Sequence, residues 1–264
     1  MLQWQKEIID YIKQHNPSGI LNLDQQDAIL FFEAEALQIR LKNIGTAFNP
    51  PCESPALSYK EICIWEDQWY SHQLVLQSRI QSLFGHTQRI FARKTKVVSL
   101  TAPEVKTFLA TNHLNVPIGG KYKYGLTAND SLVAVMVFSK ARPIERDGQT
   151  YQSYEMIRHC NLKGHTVVGG MSKLLKHFIK TQQPDDIMTY VDKDWSDGKT
   201  YLSHGFQALE HTPPQFFYLK SGAHERIYPH RIGENTKIVN QLLIAEGYRV
   251  VYNQGNIKLL FKQK

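Results

Sequence analysis

The densest run of residues able to do chemistry lies between Tyr154 and Lys173. It reads Tyr154-Glu155-Met156-Ile157-Arg158-His159-Cys160, then Gly164-His165-Thr166-Val167-Val168-Gly169-Gly170-Met171-Ser172-Lys173. The first part reads as a strand, the second as a glycine-rich turn opening a helix. Free N–H groups at a helix start, with the helix dipole behind them, attract anions. Glycine lets the main chain approach a phosphate that side chains would keep away. Lys173, Lys176 and Lys180 add positive charge along the same helix. An ordinary strand-to-helix turn, using glycine only for its backbone angles, satisfies the same pattern. No Gly-Lys-Ser/Thr closes the run and no G-x-G-x-x-G lies in it, which excludes a P-loop and a dinucleotide fingerprint.

Two carboxylates accompany the loop. Glu155 could take a proton from an attacking amine if burial raises its pKa, or could be a strand residue paired with Arg158 or a lysine. Asp192 closes the next predicted strand, DIMTYVD, at the end where open α/β sheets gather ligands. Tyr201 begins Tyr201-Leu-Ser-His-Gly205-Phe206, and its ring could equally pack on the core. Ser172 has no His–acid partner, so its hydroxyl suits a helix start better than a nucleophile. Metal chemistry is not expected. Asp192-Lys-Asp194-Trp-Ser196-Asp197-Gly198 lacks the twelfth-position acid of a calcium loop. His159, Cys160 and His165 make no zinc set, and no Cys-x-x-Cys occurs.

The elements that must position these groups follow from local pattern. Thr101-Ala-Pro-Glu104 is a capping box and predicts a helix over 102–112. YKYGLTA and SLVAVMVFS flank Asn129-Asp130, a hairpin signal. With KVVSL, SYEMIRHC, DIMTYVD, a short helix at KTYLSHG and a last strand FFYLK, residues 95–220 read β-α-β-β-β-α-β-α-β. The expected fold class is α/β (α+β overall), a mixed sheet with flanking helices behind a small α+β N-terminal module. In that module Trp4, Ile8 and Ile12 share a helix face, and Leu37, Ile39 and Leu41 alternate with polar residues as in a strand. Residues 44–58, with Gly45 and three prolines, read as loop, and 71–84 as a helix. The divisions expected are 1–90, 95–220 and a C-terminal helix and hairpin over 221–264, turning at Asn253-Gln-Gly-Asn256.

Composition narrows the class. The 264 residues are 42% hydrophobic and 21% charged, enough for a sizeable core and against a wholly disordered chain. No apolar run reaches the roughly 18–20 residues that span a bilayer, and the opening amphipathic stretch does not resemble a secretory signal. Cys52, Cys63 and Cys160 are scattered and odd in number, so a reduced cytoplasm is the expected compartment. The net charge is +7, and residues 1–100 sum to zero, so 101–264 hold the whole excess. That balance suits a polyanion or a phosphate-bearing cofactor, and also a merely soluble basic surface.

The order of elements, the glycine loop after the fourth strand and Tyr201-x-x-x-Gly205-Phe206 resemble the GNAT superfamily of N-acetyltransferases over roughly 95–220. The resemblance implies an acyl-CoA donor, acetyl-CoA or a relative, held through Cys160, Thr166, Val167, Val168, Gly169, Gly170, Met171, Ser172 and Lys173. It also implies that Tyr201 protonates the leaving thiolate. Thr166 stands where that family carries Gln or Arg, and Met171 where it carries a small residue. Val-Gly-Gly-Met-Ser-Lys-Leu-Leu and Tyr190-Val-Asp192-x-x-Trp195-Ser196 look like the divergent phage branch with the Mom-type DNA-modifying proteins, which implies an adenine amine as acceptor. Ile64-Trp65-Glu66-Asp67-Gln68-Trp69, Gln77-Ser78-Arg79-Ile80 and Ala92-Arg93-Lys94 resemble the end of a Vsr-like endonuclease domain of phage homing-type proteins. Asp24, Asp27, Glu33 and Glu35 lack the acid-x-Lys partner such a nuclease needs, so a degenerate module that still contacts DNA is expected.

Two basic, aromatic segments could meet nucleic acid, through Lys121 and Lys123 in one and Arg226 and Arg231 in the other. The leading expectation is therefore acyl transfer from a CoA-like donor to an amine, with DNA as partner. The alternatives are a non-catalytic DNA-binding protein and a Mg²⁺ nuclease acting through residues 24–67.

Overall fold

The computed structural model describes residues 1–24, 27–44, 59–220, 222, 224–229 and 236–263; Cys52, Arg231 and most of the 44–58 loop lie outside them. The chain forms two compact units. One comprises residues 1–73, 191–197 and 211–257, the other 74–190, 198–210 and 258–264.

In the first unit, α1 (Gln3–His15) precedes β1 (Ile20–Asp24), β2 (Asp27–Phe32), β3 (Leu37–Lys42) and β4 (Lys60–Trp65). The sheet order is β1-β2-β3-β4, antiparallel except that β4 runs parallel to β3. Trp4, Ile8 and Ile12 are buried on α1, and Leu37, Ile39 and Leu41 on β3, as the two periodicities require. β1 has no clear pattern in the sequence because Ile20 and Leu23 stay exposed on it. α2 (Glu66–Leu83) starts before the expected helix, leaves helical geometry at His72 (φ −137°, ψ 34°) and passes into the second unit.

The second unit carries β5 (Gln88–Phe91), a 3₁₀ turn (Ala92–Lys94), β6 (Lys96–Ser99), α3 (Ala102–Asn112), β7 (Tyr122–Ala128) and β8 (Ser131–Phe138). β9 (Arg142–Arg146), β10 (Gln149–Asn161), β11 (His165–Val168), α4 (Gly170–Gln182), β12 (Asp186–Asp192), α5 (Lys199–Leu202) and β13 (Gln207–His211) follow. The main sheet runs β13-β16-β12-β10-β8-β7-β6, with β16 (Asn256–Lys262) from the chain's end and β9 on the flank of β10. It is mixed, because β10 pairs antiparallel with β8 but parallel with β12. That is the fold class expected. Alternate residues of β8 serve the two faces: Val135 and Val137 pack with Val105, Phe108 and Leu109 of α3, whereas Phe138 stacks on Phe178 of α4, centroids 3.6 Å apart.

Local signals hold where they are strong. Thr101 Oγ1 and Glu104 exchange the bonds of the capping box, and Asn129 and Asp130 take φ +47° and +61° in the hairpin turn. Three strands exceed the expected order: β9, β11 and β13. FFYLK, expected as the last core strand, is β14 (Phe216–Lys220). It pairs with β15 (Tyr248–Tyr252) beyond α6 (Thr236–Ala245), and both strands belong to the first unit. The expected hairpin at 253–256 is not one, since β15 and β16 sit in different sheets. A turn signal marks the bend, and side-chain packing chooses the partner.

Candidate active site and glycine loop

β10 and β12 share only three parallel pairs, Ser153–Glu155 with Asp186–Met188. β10 then shifts register against β8 between Met156 and Arg158 and runs on to Asn161. The Thr189 hydroxyl donates to the Met156 carbonyl (2.8 Å) where the ladder stops. The parallel pairing of β10 with β12 therefore ends after Glu155 and Met188, where β10 bends against β8.

Gly169 precedes α4 with φ +77°, a left-handed geometry that favours glycine. A Cβ there would meet only Ala92 Cβ, at 3.6 Å, and the residue is exposed. Gly170 is required for a different reason: a Cβ on it would sit 2.9 Å from Val167 Cγ1. The first backbone bond of the helix runs from Lys173 N to the Gly169 carbonyl (3.0 Å), which leaves the N–H groups of Gly170, Met171 and Ser172 outside the helical ladder. Met171 is 6% exposed and points into the core, so its size does not obstruct the loop. Thr166 is engaged with Thr87 (Oγ1 to Oγ1, 2.6 Å), and β11, with Val167 and Val168, pairs in parallel with β5. Lys173 does not reach over the loop. Its Nζ donates to the carbonyls of Ala92 (2.8 Å) and Thr95 and pins the 3₁₀ turn against α4.

Cys160 faces α3, not the loop. Its thiol donates to the Asn112 carbonyl (3.2 Å), and burial pushes it up to about 12, so it stays protonated. Glu155 lies at the last β10–β12 pair with its backbone N–H on Ser139 Oγ (2.9 Å) and its carboxylate 3.9 Å from Arg142. Tyr201 stands edge-on to Phe206, centroids 5.8 Å apart, and Phe206 packs on Phe261. Burial raises the Tyr201 pKa, while the charges of Arg79 and Arg158 pull it down. Two imidazoles share this neighbourhood: His113, which the sequence did not single out, and His159, weighed there only as a metal ligand. Burial, with Arg79 and Arg158 nearby, lowers His113 to about 3, and burial beside His204 lowers His159 to about 4. His159 Nε2 is sealed from solvent with no hydrogen-bond partner. Spacing alone could not flag them, because β10 and the turn after α3 lie far apart in sequence.

Asp192 lies in the first unit, where its carboxylate accepts the Asp194 N–H (3.0 Å). Asp194 is the more perturbed group. It is 2% exposed, accepts from Trp65 Nε1 (2.9 Å) and Gln254 N (3.1 Å), and burial beside Asp192 raises it to about 7. Arg226 belongs to the same interior. It grips Asp67 through two bonds (2.5 and 3.0 Å), and its guanidinium lies 4.2 Å from the centre of the Phe217 ring. That placement corrects its expected role as a surface contact to nucleic acid. Lys123 Nζ is turned onto the Gly120 (2.8 Å) and Lys121 carbonyls, while Lys121 itself is exposed. On the N-terminal sheet Arg40 lies 3.4 Å from both Asp27 and Glu61. Among the described residues no cluster of three or more His, Cys, Asp or Glu could hold a metal, and no helix is long and apolar enough to cross a membrane.

No family model and no curated protein sequence matches the chain. Solved structures similar to it include acetyltransferases. An IAA acetyltransferase from Bacillus cereus is 16% identical at TM-score 0.40, over 64% of this chain and 99% of that one. A Bacillus subtilis acetyltransferase in complex with CoA is 17% identical at 0.39, over 65% and 100%. A GNAT family acetyltransferase from Elizabethkingia anophelis with acetyl-CoA bound is 13% identical at 0.36, over 64% and 99%. At these identities and TM-scores the likeness assigns neither ligand nor activity to this chain.

Proposed function

We propose that this chain transfers an acyl group from a CoA-type donor to an amine, with the exocyclic amine of a nucleic-acid base, on DNA, as acceptor. The observation that carries the reading is the exposed glycine-led start of α4, where a Cβ on Gly169 would meet only Ala92 and the N–H groups of Gly170, Met171 and Ser172 lie outside the helical ladder. The residues present fit such a donor. The N–H groups of Gly170, Met171 and Ser172 would hold its diphosphate, and the β12 side of β10 past Glu155 offers main-chain groups to an extended arm. When bound, the donor supplies a thioester-activated acyl group. Tyr201 keeps its proton at neutral pH because burial raises its pKa, and would deliver it to the departing sulfur. Glu155 would accept the proton of the amine.

Calorimetric titration with acetyl-CoA and CoA tests the donor. We expect saturable binding that is lost in Gly170→Glu and kept in Tyr201→Phe, with acyl transfer in the latter slowed roughly 100-fold or more. Absence of binding to both ligands refutes the reading. The Mg²⁺ nuclease alternative draws no support from the N-terminal sheet, where Asp27 and Glu61 are paired with Arg40.

A further inference from the structure

The segment joining the two parts of the chain, residues 86–96, reads in sequence as a basic connection. In the structure it is part of the second unit's working surface. Register brings Phe91 beside Val168, and Lys173 ties the following 3₁₀ turn to α4. β6 then pairs with β7, with Ser99 opposite Tyr124, and Tyr124 packs edge-on against His177 of α4, centroids 4.7 Å apart. Residues 86–103, 113–128 and 162–184 therefore adjoin one another. Together they carry ten Lys+Arg and not one acidic residue, so the rest of the chain, 21 basic against 24 acidic, is net negative at −3. The net positive charge of this protein is thus concentrated in these three segments.

Arg89, Arg93, Lys94 and Lys96 on the strip, and Lys176 and Lys180 on α4, are exposed. Among the described residues none of these six forms an ion pair. The nearest acids along the chain are Asp185, after α4, Glu104, at the start of α3, and Asp130, in the β7–β8 turn; Asp185 accepts the Gln152 N–H (2.6 Å) and Glu104 is occupied by its capping box. Two apolar side chains break the polar surface: Phe91, 43% exposed, and its register partner Val168, 40% exposed. The Arg93 guanidinium lies 5.1 Å from the Phe91 ring centre. A row of cations tracks a phosphate backbone, and an exposed ring flanked by guanidinium stacks an unpaired base. Duplex DNA, with its bases already stacked, would leave Phe91 unused.

We infer that the 88–96 strip, together with the outer side of α4, is a docking face for single-stranded nucleic acid. The inference rests on the nucleic-acid half of the proposed function and is independent of the donor half. Fluorescence anisotropy of the full chain with a labelled oligothymidine of about 15 nucleotides tests it. Each neutralised phosphate on a single strand lowers log K by about 0.7 per decade of salt. Arg89→Ser/Arg93→Ser/Lys94→Ser is thus expected to weaken binding and flatten the salt slope by about 2. Phe91→Ala is expected to lose roughly tenfold with the slope unchanged. Lys6→Ser/Lys13→Ser, exposed on α1, is the control and should change neither, and circular dichroism checks that each variant is folded.

Wild-type protein that fails to bind at low salt, or a triple variant that binds like wild type, overturns the inference. So does equal affinity for duplex with a silent Phe91→Ala, or tighter binding to anionic phospholipid vesicles than to the oligonucleotide. Acetyl-CoA titration of the same proteins separates the two readings. Oligonucleotide binding without acetyl-CoA binding sinks the donor and leaves this face standing. Acetyl-CoA binding that the triple variant loses, with no oligonucleotide bound by wild type, assigns the strip to the donor and refutes this inference.

Discussion

Arg226 offers the sharpest test of how the first unit is held together. Its side chain is 14% exposed and that of Asp67 2%, and the pair shares two hydrogen bonds. Arg226→Met keeps most of the packing volume against Phe217 and Trp65 but leaves the Asp67 carboxylate buried and unpaired. Breaking a buried pair by removing one partner costs about 3–5 kcal/mol, whereas replacing both by apolar residues is often close to neutral. Arg226→Met/Asp67→Leu should therefore recover most of the loss. The Asp194 carboxyl, which Arg226 now draws downward, should rise further in the variant. Urea unfolding of the full chain near pH 7.5 measures the stability of both variants. An exposed arginine would change stability by within about 0.5 kcal/mol. A single-variant deficit below about 1 kcal/mol near pH 7.5, or a double variant no better than the single, refutes the argument.

Two further predictions concern the second unit and the shared pH response. Gly169→Ala should cost about 1–2 kcal/mol through its left-handed backbone alone; Gly170→Ala should cost through its clash with Val167 instead, so that adding Val167→Ala relieves the second and not the first in thermal unfolding. His113 and His159, depressed to about 3 and about 4, contribute stability that is complete above pH ~6.5 and is lost as pH falls towards those values. Each contributes about 1.4 kcal/mol per pH unit, so His159→Gln should flatten the acid limb by that amount in urea midpoints between pH 4.5 and 6.5. Asp194, raised to about 7, acts in the opposite sense, its stabilisation being full below pH ~4 and lost as pH rises through 7.

Short-range physics made much of this chain legible without coordinates. The capping box at Thr101–Glu104, the Asn129-Asp130 turn, the apolar face of α1 and the glycine-led start of α4 each depend on residues a few positions apart, and each forms as its pattern requires. The sequence by itself also determined the mixed α/β character of the second unit, because strand and helix periods alternate along it. Partnership was beyond its reach. Whether FFYLK completes the main sheet or pairs with β15 depends on which apolar faces must cover one another, and residues 191–197 and 211–257 pack with the first 73 by the same criterion. Arg226 shows the physical reason most plainly. A guanidinium among aromatic residues suits a nucleic-acid surface or a buried ion pair equally well in sequence, and only Asp67, 159 positions away, decides between them. The basic strip at 88–96 is the converse case: a connector by composition, it becomes one edge of a charged face once β5 pairs with β11, since a parallel pairing joins segments that no local rule can bring together.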